Sequence, residues 1–226
     1  MEISDLKLEK KITLSRSDAL IIVDVQNDFI PGGALPVEGG NEIIDGINRV
    51  SKVFKENRAR IVLTQDWHPP NHKSFASAHP GKNPFDEYSA EGIGPVLWPD
   101  HCIQGQKGAE FSPQLNTDIA DAIIRKGMNP EIDSYSGFLE NDKKSETGLA
   151  GYLKSLKIDR IFVCGLALDY CVYFTAMDGK NLGFEVYYII DLTRGIDDPP
   201  GNISRALENM TQNGIKFLKA DIFYNF

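Results

Sequence analysis

Short, uninterrupted apolar runs recur along this chain, and segments with helical spacing separate them. The strand candidates are residues 19–23 (ALIIV), 60–64 (RIVLT), 121–125 (DAIIR), 160–164 (RIFVC), 185–192 (EVYYIIDL) and 215–219. Continuous apolar runs are typical of parallel strands buried on both faces. Helical patterns cover residues 41–57, 146–156, 169–180 and 202–212, the last with Asn202 as its expected cap. The alternation predicts a three-layer α/β/α fold around a mostly parallel, Rossmann-like sheet of about six strands.

The domain organisation follows from where this rhythm begins. Residues 1–17 are charged and aperiodic, which predicts an N-terminal arm or an added edge segment. No repeat or linker interrupts the rest, so residues 18–226 are predicted to form a single domain that closes with an aromatic tail over 223–226. A chain of 226 residues suits one large α/β domain.

The charge and cysteine content narrow the class of protein. A net charge of −8 disfavours nucleic acid or an anionic membrane as the partner, because both need a basic face. No apolar run reaches the roughly 18 residues of a membrane span, and the polar first residues lack the apolar core of a signal peptide. Three cysteines fit free thiols in a reducing compartment. We therefore expect a cytoplasmic protein.

Residues with chemical potential follow the predicted strands. Asp24, Asp66, Lys126 and Cys171 each come at or just after a strand end, and the carboxyl ends of parallel strands share one edge of the sheet. These side chains are therefore expected to converge on one site, although they are far apart in sequence.

Cys171 is the candidate nucleophile at this edge. It follows an apolar run that breaks at Gly165, and it lies a few residues into a predicted helix. Backbone N–H groups and the positive end of a helix favour the thiolate form. Cys164, inside a strand, is interpreted as a small buried hydrophobic residue. Cys102 is interpreted in the same way, with a role as a soft metal ligand as the alternative.

Asp24 and Lys126 are the candidate base and its cationic partner. Asp24 follows a strongly apolar run, so desolvation should raise its pKa and suit it to carry a proton. The alternative is that it caps a turn at the strand exit. A lysine beside a thiol favours the thiolate and stabilises an ionised aspartate, whereas a surface lysine at a strand end is the alternative for Lys126.

All four histidines lie in one long irregular segment, residues 65–116. A connection of that length in a compact domain is usually functional. Asp66, His68 and His101 form a candidate ligand set for one divalent cation, with Zn²⁺ preferred and Mn²⁺ or Fe²⁺ as alternatives. His72 and His79 are interpreted as solvated loop residues.

Aromatic side chains cluster in the loops near the same edge. They are Phe29, Trp98, Tyr135 and Phe138. Flat walls suit a flat substrate, although packing beneath long loops is the alternative for each.

Five motifs in order resemble the nicotinamidases of the isochorismatase-like cysteine hydrolase superfamily. They are IIVDVQNDFIPGGALPV, LTQDWHPPNHKSFA, LWPDHCIQG, RKGMNPEIDSYSGF and VCGLALDYCV, and together they span most of the chain from Ser17 onward. The resemblance implies that Asp24, Lys126 and Cys171 form a catalytic triad. It also implies that Asp66, His68 and His101 hold the metal, with Ser74 in or near its coordination shell.

The resemblance further implies the shape of the substrate site. It places Phe29, Trp98, Tyr135, Leu166 and Ala167 around the substrate, the first two on either side of a pyridine ring. A cis peptide is expected at Leu166–Ala167, with the N–H groups of Ala167 and Cys171 as the oxyanion hole.

The implied activity is that of an amidohydrolase acting on linear amides. It converts nicotinamide to nicotinate and ammonia through a cysteine thioester, in NAD salvage, and pyrazinamide is a plausible second substrate. The resemblance also allows a homo-oligomer. Two rivals stay open: another small-amide or carbamoyl cysteine hydrolase of the superfamily, and a thiol-redox protein, which the absence of a CxxC pair disfavours.

Overall fold

Six parallel strands form the centre of the fold. The structure is a computed structural model that describes residues 1–224. The strands are β1 (Asp18–Val23), β2 (Arg60–Asp66), β3 (Ala122–Lys126), β4 (Arg160–Leu166), β5 (Glu185–Arg194) and β6 (Lys216–Leu218). They pair in the order β3-β2-β1-β4-β5-β6, each neighbouring pair parallel. The predicted three-layer fold with a mostly parallel sheet of about six strands is confirmed.

Four α-helices flank this sheet. They are α1 (Ile44–Glu56), α2 (Leu149–Ser155), α3 (Tyr173–Asn181) and α4 (Asn202–Gln212). Helix α1 packs against β1 and β2, whereas α3 packs against β4 and β5 and also contacts α4. The first two helices are shorter than predicted, because residues 41–43 form a turn and Glu146 forms an isolated bridge with Leu139 before α2 begins. No helix within residues 1–224 is long and apolar enough to cross a bilayer.

The chain between β4 and α3 differs from the sequence prediction. Residues 169–180 were predicted as one α-helix, but Leu168–Val172 form a π-helical turn that precedes α3. The Val172 N–H donates to the carbonyl of Ala167, five residues earlier, at 3.1 Å. Such wide turns occur often at functional sites. The predicted cap at Asn202 is also wrong, because Gly201 occupies the cap position of α4.

Gly165 allows β1 and β4 to approach each other closely. Its φ of +113° is rarely adopted by residues with a side chain, and a Cβ there would lie 2.1 Å from the carbonyl oxygen of Val23. The strand order reverses between these two strands, which is where open α/β sheets bind ligands. Gly165 thereby brings the residue after β1 next to the turn after β4.

The two ends of the described chain pack on the domain. Leu8 forms an isolated parallel bridge with Phe217 of β6, and the Glu9 N–H donates to the Phe217 carbonyl at 2.8 Å. The division into an arm over 1–17 and a domain from residue 18 stays a prediction. In the predicted aromatic tail, the Phe223 ring packs 5.4 Å from that of Phe54, whereas residues 225 and 226 lie outside the described part.

Candidate active site

The side chains predicted to converge do meet at the carboxyl edge of the sheet. Asp24 directly follows β1, Asp66 ends β2, and Lys126 ends β3. Asp66 and Lys126 are register partners across β2 and β3, so their side chains start from neighbouring positions. Cys171 approaches from the π-helical turn after β4.

Lys126 lies at the centre of this group and has no exposed surface. Its Nζ lies 2.9 Å from Oδ2 of Asp24 and 3.0 Å from Oδ1 of Asp66. It also donates to the Ser134 carbonyl at 2.6 Å and to Sγ of Cys171 at 3.5 Å. Burial alone would lower the pKa of Lys126, but the charges of Asp24 and Asp66 outweigh it and raise that pKa well above its usual value. The side chain is therefore a fixed cation, not the surface lysine of the alternative interpretation.

Asp24 is fully buried and held from two sides. The Thr64 hydroxyl donates to its Oδ1 at 2.6 Å, while Lys126 faces its Oδ2. Burial raises the pKa of Asp24 more than Lys126 and Thr64 lower it, so the net shift is upward. A carboxylate with a raised pKa can accept and return a proton near neutral pH.

The Cys171 thiol is less acidic than the sequence suggested. Burial raises its pKa well above the usual value, and Asp24 and Asp66 add to this, against a smaller lowering effect of Lys126. A hydrogen bond with Asp24 also favours the protonated thiol. The thiol therefore keeps its proton until a base accepts it. The proton has to pass to a base, and Asp24, which contacts the same Lys126 ammonium as Cys171, is the candidate.

Asp66, His68 and His101 form a compact ligand set. One ligand atom from each lies within 4.8 Å of the others. Nε2 of His68 lies 3.0 Å from Oδ2 of Asp66, and Nε2 of His101 lies 3.5 Å from the same oxygen. Burial raises the pKa of Asp66, but His68 and Lys126 lower it by more. The pKa of Asp66 therefore lies well below its usual value, and the carboxylate stays ionised.

The imidazole orientations fit a metal ion. Nδ1 of His68 lies 2.9 Å from the Gly127 carbonyl, and Nδ1 of His101 lies 2.7 Å from the Pro99 carbonyl. A carbonyl can only accept, so each ring carries a proton on Nδ1, which leaves Nε2 as the nitrogen that can bind a cation beside Asp66. Two such nitrogens and one carboxylate suit a divalent cation such as zinc.

His72 is not the solvated residue that was expected. It is fully buried, and its ring centroid lies 4.2 Å from that of His68. The Ser74 N–H donates to its Nδ1 at 3.2 Å, and the Ser74 hydroxyl lies 2.7 Å from the same nitrogen. Burial lowers the pKa of His72 to about 4. His79 is half-buried, with Nε2 2.7 Å from the Lys73 carbonyl.

The other two cysteines are fully buried, as expected of small hydrophobic residues. Burial raises the pKa of Cys164 well above its usual range, and that of Cys102 is raised in the same way. Among residues 1–224, the compact ligand sets do not include the Cys102 thiol. Its carbonyl instead accepts from the His68 N–H at 3.0 Å.

A cavity with aromatic walls opens onto Cys171. It is lined by Phe29, Leu35, Asp66, Trp98, His101, Asp133, Tyr135, Ala167, Tyr170, Cys171 and Ile196. The Trp98 indole N–H donates to the Tyr135 hydroxyl at 3.0 Å, which donates in turn to the Gly94 carbonyl at 2.9 Å. These bonds fix the orientation of both rings. The volume of this cavity is about 20 Å³, which holds about one water.

Two of the residues predicted near the substrate, Leu166 and Phe138, lie away from the cavity. The peptide between Leu166 and Ala167 is cis, as expected. Ala167 lines the cavity, but Leu166 is not among the described lining residues, and its side chain lies beside Gly40. Phe138 is fully buried, with its ring stacked 5.7 Å from that of Phe184, so it belongs to the core.

Sequence reasoning missed Thr64, Asp133 and Tyr170. Thr64 lies two residues before the end of β2, where a polar residue in an apolar strand was a usable signal. Tyr170 directly precedes the candidate nucleophile, and its ring packs edge-on against Trp98 with centroids 4.9 Å apart. Asp133 lies in an irregular loop, and nothing in its local sequence distinguishes it from a solvated acid.

Comparison with known proteins places the chain in a family. Residues 18–221 match the isochorismatase domain family. The chain is 46% identical over 209 residues to the nicotinamidase of Acinetobacter baylyi, covering 92% of this chain and 95% of that relative.

Two solved structures extend the comparison. A nicotinamidase/pyrazinamidase from Acinetobacter baumanii has a TM-score of 0.88 at 46% identity, covering 92% of this chain and 99% of the other. A pyrazinamidase from Pyrococcus horikoshii in complex with zinc has a TM-score of 0.74 at 42% identity, covering 90% and 99%. The chain therefore belongs to the isochorismatase family and, within it, to the nicotinamidase group.

Proposed function

We propose that this protein hydrolyses nicotinamide to nicotinate and ammonia, with Cys171 as the nucleophile. The observation that carries the proposal is that Lys126 contacts both Cys171 and Asp24, with Cys171 lining an aromatic cavity. A thiol, a base and a fixed cation within hydrogen-bond reach are the parts that nucleophilic acyl transfer needs. The kinship with nicotinamidases supplies the substrate class, a flat pyridine carboxamide.

The first half of the reaction forms a thioester. Asp24 accepts the thiol proton while Sγ of Cys171 attacks the amide carbon, which gives a tetrahedral intermediate. The carbon–nitrogen bond then breaks, and the proton on Asp24 passes to the departing amine, which leaves as ammonia. Lys126 stabilises the ionised forms of both partners, because its Nζ contacts Sγ and the carboxylate at the same time.

The second half releases the acid. Asp24 takes a proton from water as the water oxygen attacks the thioester carbon. The carbon–sulfur bond then breaks, the proton on Asp24 passes to Sγ of Cys171 to restore the thiol, and the acid loses its own proton to solvent to give nicotinate. In both halves the N–H groups of Ala167 and Cys171 are the proposed donors to the developing oxyanion. Each such donor contributes roughly 3 kcal/mol to transition-state stabilisation.

Asp66, His68 and His101 are the residues proposed to hold a divalent cation. Zinc is preferred, since the donor set suits it and a relative from Pyrococcus horikoshii was solved with zinc, with Mn²⁺ and Fe²⁺ as alternatives. When bound, the cation supplies a Lewis-acid contact for a ring nitrogen. Phe29 and Trp98 line the cavity and are proposed to hold the faces of the ring, which orients the carboxamide toward Cys171.

The same site is proposed to accept pyrazinamide, whose ring has the same size and also carries nitrogen. A role in NAD salvage follows from the nicotinamidase activity. A cytoplasmic location and a homo-oligomeric state remain predictions.

Ammonia release tests the proposal. The wild-type protein should release ammonia from nicotinamide, whereas Cys171→Ala should abolish turnover and still bind nicotinate. A chelator should reduce the wild-type rate, and added zinc should restore it. Turnover by Cys171→Ala would exclude the thiol mechanism, and a preference for a ureido substrate would favour the other small-amide hydrolases.

A further inference from the structure

Asp133 is a buried carboxylate that the proposed reaction does not use. It is 2% exposed and lines the same cavity as Cys171. Its Oδ1 accepts from the Ser134 N–H at 2.8 Å, but its Oδ2 has no hydrogen-bond partner within residues 1–224. A buried carboxylate oxygen without a donor is costly, so such an atom indicates a partner that the protein chain does not supply.

Two imidazoles lie next to Asp133, and neither offers it a proton. Atoms of His68, His72 and Asp133 lie within 4.8 Å of one another. His68 has Nδ1 against the Gly127 carbonyl and Nε2 against Asp66. His72 has Nε2 3.2 Å from the Ile132 carbonyl, and its Nδ1 accepts from the Ser74 N–H. All four ring nitrogens are therefore engaged elsewhere.

The buried charges at this edge of the sheet do not balance within the protein. Three carboxylates, Asp24, Asp66 and Asp133, are each at most 3% exposed. One ammonium, Lys126, lies among them and contacts Asp24 and Asp66. Carboxylates therefore outnumber ammonium groups in this cluster, which favours the binding of a divalent cation beside them.

We propose that Asp133 is a positioning residue of the cation site, where its Oδ2 accepts a hydrogen bond from a water molecule that the cation binds. The inference rests on the proposed cation site at Asp66, His68 and His101. It assigns Asp133 two effects: it orients a water that the protein ligands do not hold, and its charge increases the affinity for the cation. Partners around a metal site that act in this way typically change metal affinity by about 10- to 100-fold.

The test compares Asp133→Asn with Glu140→Gln. Asparagine keeps the shape of the side chain but removes its charge. Glu140 is a matched control, because it lies in the same loop and its buried Oε2 also has no hydrogen-bond partner within residues 1–224. Unlike Asp133, it is not among the described cavity-lining residues or in the described cluster with His68 and His72. Zinc affinity is measured on metal-free protein by competition with a chromophoric chelator, together with kcat and KM at saturating zinc.

Asp133→Asn should weaken zinc binding by about 10- to 100-fold, and Glu140→Gln by less than about threefold. Saturating zinc should restore most of the kcat of Asp133→Asn. Unchanged zinc affinity with a raised KM would overturn the inference, since Asp133 would then contact the substrate instead. If His101→Ala also keeps its zinc, the proposed cation site itself fails, which is a separate result.

Thermal unfolding separates this role from a structural one. Without metal, Asp133→Asn removes one of three mutually repelling buried carboxylates, so its Tm should equal or exceed that of the metal-free wild type. With zinc bound, its Tm should fall below that of the wild type. A lower Tm in both states would indicate a structural role and would contradict the proposal.

Discussion

Lys126 and Asp24 form an ion pair without any solvent-exposed surface, with Nζ 2.9 Å from Oδ2. The pair lies beneath Cys171, and the same ammonium also contacts Asp66. A buried charge without its counter-charge strongly destabilises the folded state. The stability of the fold and the proposed reaction therefore both depend on Lys126.

Lys126→Met should destabilise the fold and abolish turnover. The substitution leaves two buried carboxylates without a counter-charge, and breaking such a pair costs about 3–5 kcal/mol. The free energy of unfolding, measured with urea in the presence of a chelator, should fall by that amount. The double variant Lys126→Met with Asp24→Asn should recover part of the loss, and strictly additive losses would show that the ion pair is not the cause.

Thr64→Val should slow the reaction and shift its pH dependence. The Thr64 hydroxyl donates to Oδ1 of Asp24 and lowers a pKa that burial raises. Without this bond the pKa of Asp24 rises further, and since the base acts in its ionised form, the acidic limb of kcat/KM should move to higher pH. Loss of a hydrogen bond to a charged group should reduce kcat by about tenfold. Thr64→Ser keeps the hydroxyl, so a similar shift in that variant would contradict this explanation.

Asp169→Ala should loosen one wall of the cavity. The Asp169 carboxylate accepts from the Ile196 and Asp197 N–H groups, each at 2.9 Å, and from the Asn202 amide at 3.0 Å. Ile196 lines the cavity, so losing these bonds should raise KM more than it lowers kcat.

The stability of Asp169→Ala gives a second measure. Removing an acceptor that serves three partly buried hydrogen bonds should reduce the free energy of unfolding by about 1–3 kcal/mol. Asn202→Ala removes only one donor, so it should have a smaller effect on both KM and stability. An equal effect in both variants would show that the carboxylate does not hold the wall.

Glu140→Gln should be more stable than the wild type at pH 8 and about as stable at pH 5. Burial raises the pKa of Glu140 to about 7, whereas in the unfolded chain this pKa is near its usual value of about 4.5. Between these values the folded state holds a proton that the unfolded state has lost, so the stability of the wild type decreases as the pH rises from about 4.5 to 7. The loss should be about 1–2 kcal/mol, after allowance for screening by solvent.

Urea unfolding of wild type and Glu140→Gln at pH 5 and pH 8, both with chelator, checks this sign. The variant should be the more stable protein at pH 8 and close to the wild type at pH 5. A gap of the same size at both pH values would mean that packing, not ionisation, sets the difference.

The sheet and the edge where its side chains meet could be predicted from local patterns. Apolar runs such as ALIIV are typical of strands buried on both faces. Parallel strands then place Asp24, Asp66 and Lys126 at one edge of the sheet, independent of the conformation of the loops. The bounds of elements were less predictable, because the π-helical turn at Leu168–Val172 depends on how that segment packs against its neighbours.

The loops and the protonation states could not be read in this way. His72 looked like a solvated loop residue, and Asp133 carried no signal, yet both are buried beside His68. The protonation state of the Cys171 thiol could not be predicted from the local sequence either. Helix and backbone dipoles near Cys171 are local features, whereas Asp24 and Lys126, which act on its thiol, follow or end β1 and β3, which are remote in sequence.

The sequence by itself therefore determined the fold class, the family and the types of side chain that line the edge of the sheet. Those depend on periodicity and on motif order, which are local along the chain. Only the tertiary structure decided which groups are desolvated, which hydrogen bonds they form, and that Oδ2 of Asp133 has no donor within residues 1–224. Desolvation and hydrogen bonding depend on atoms brought together from distant segments.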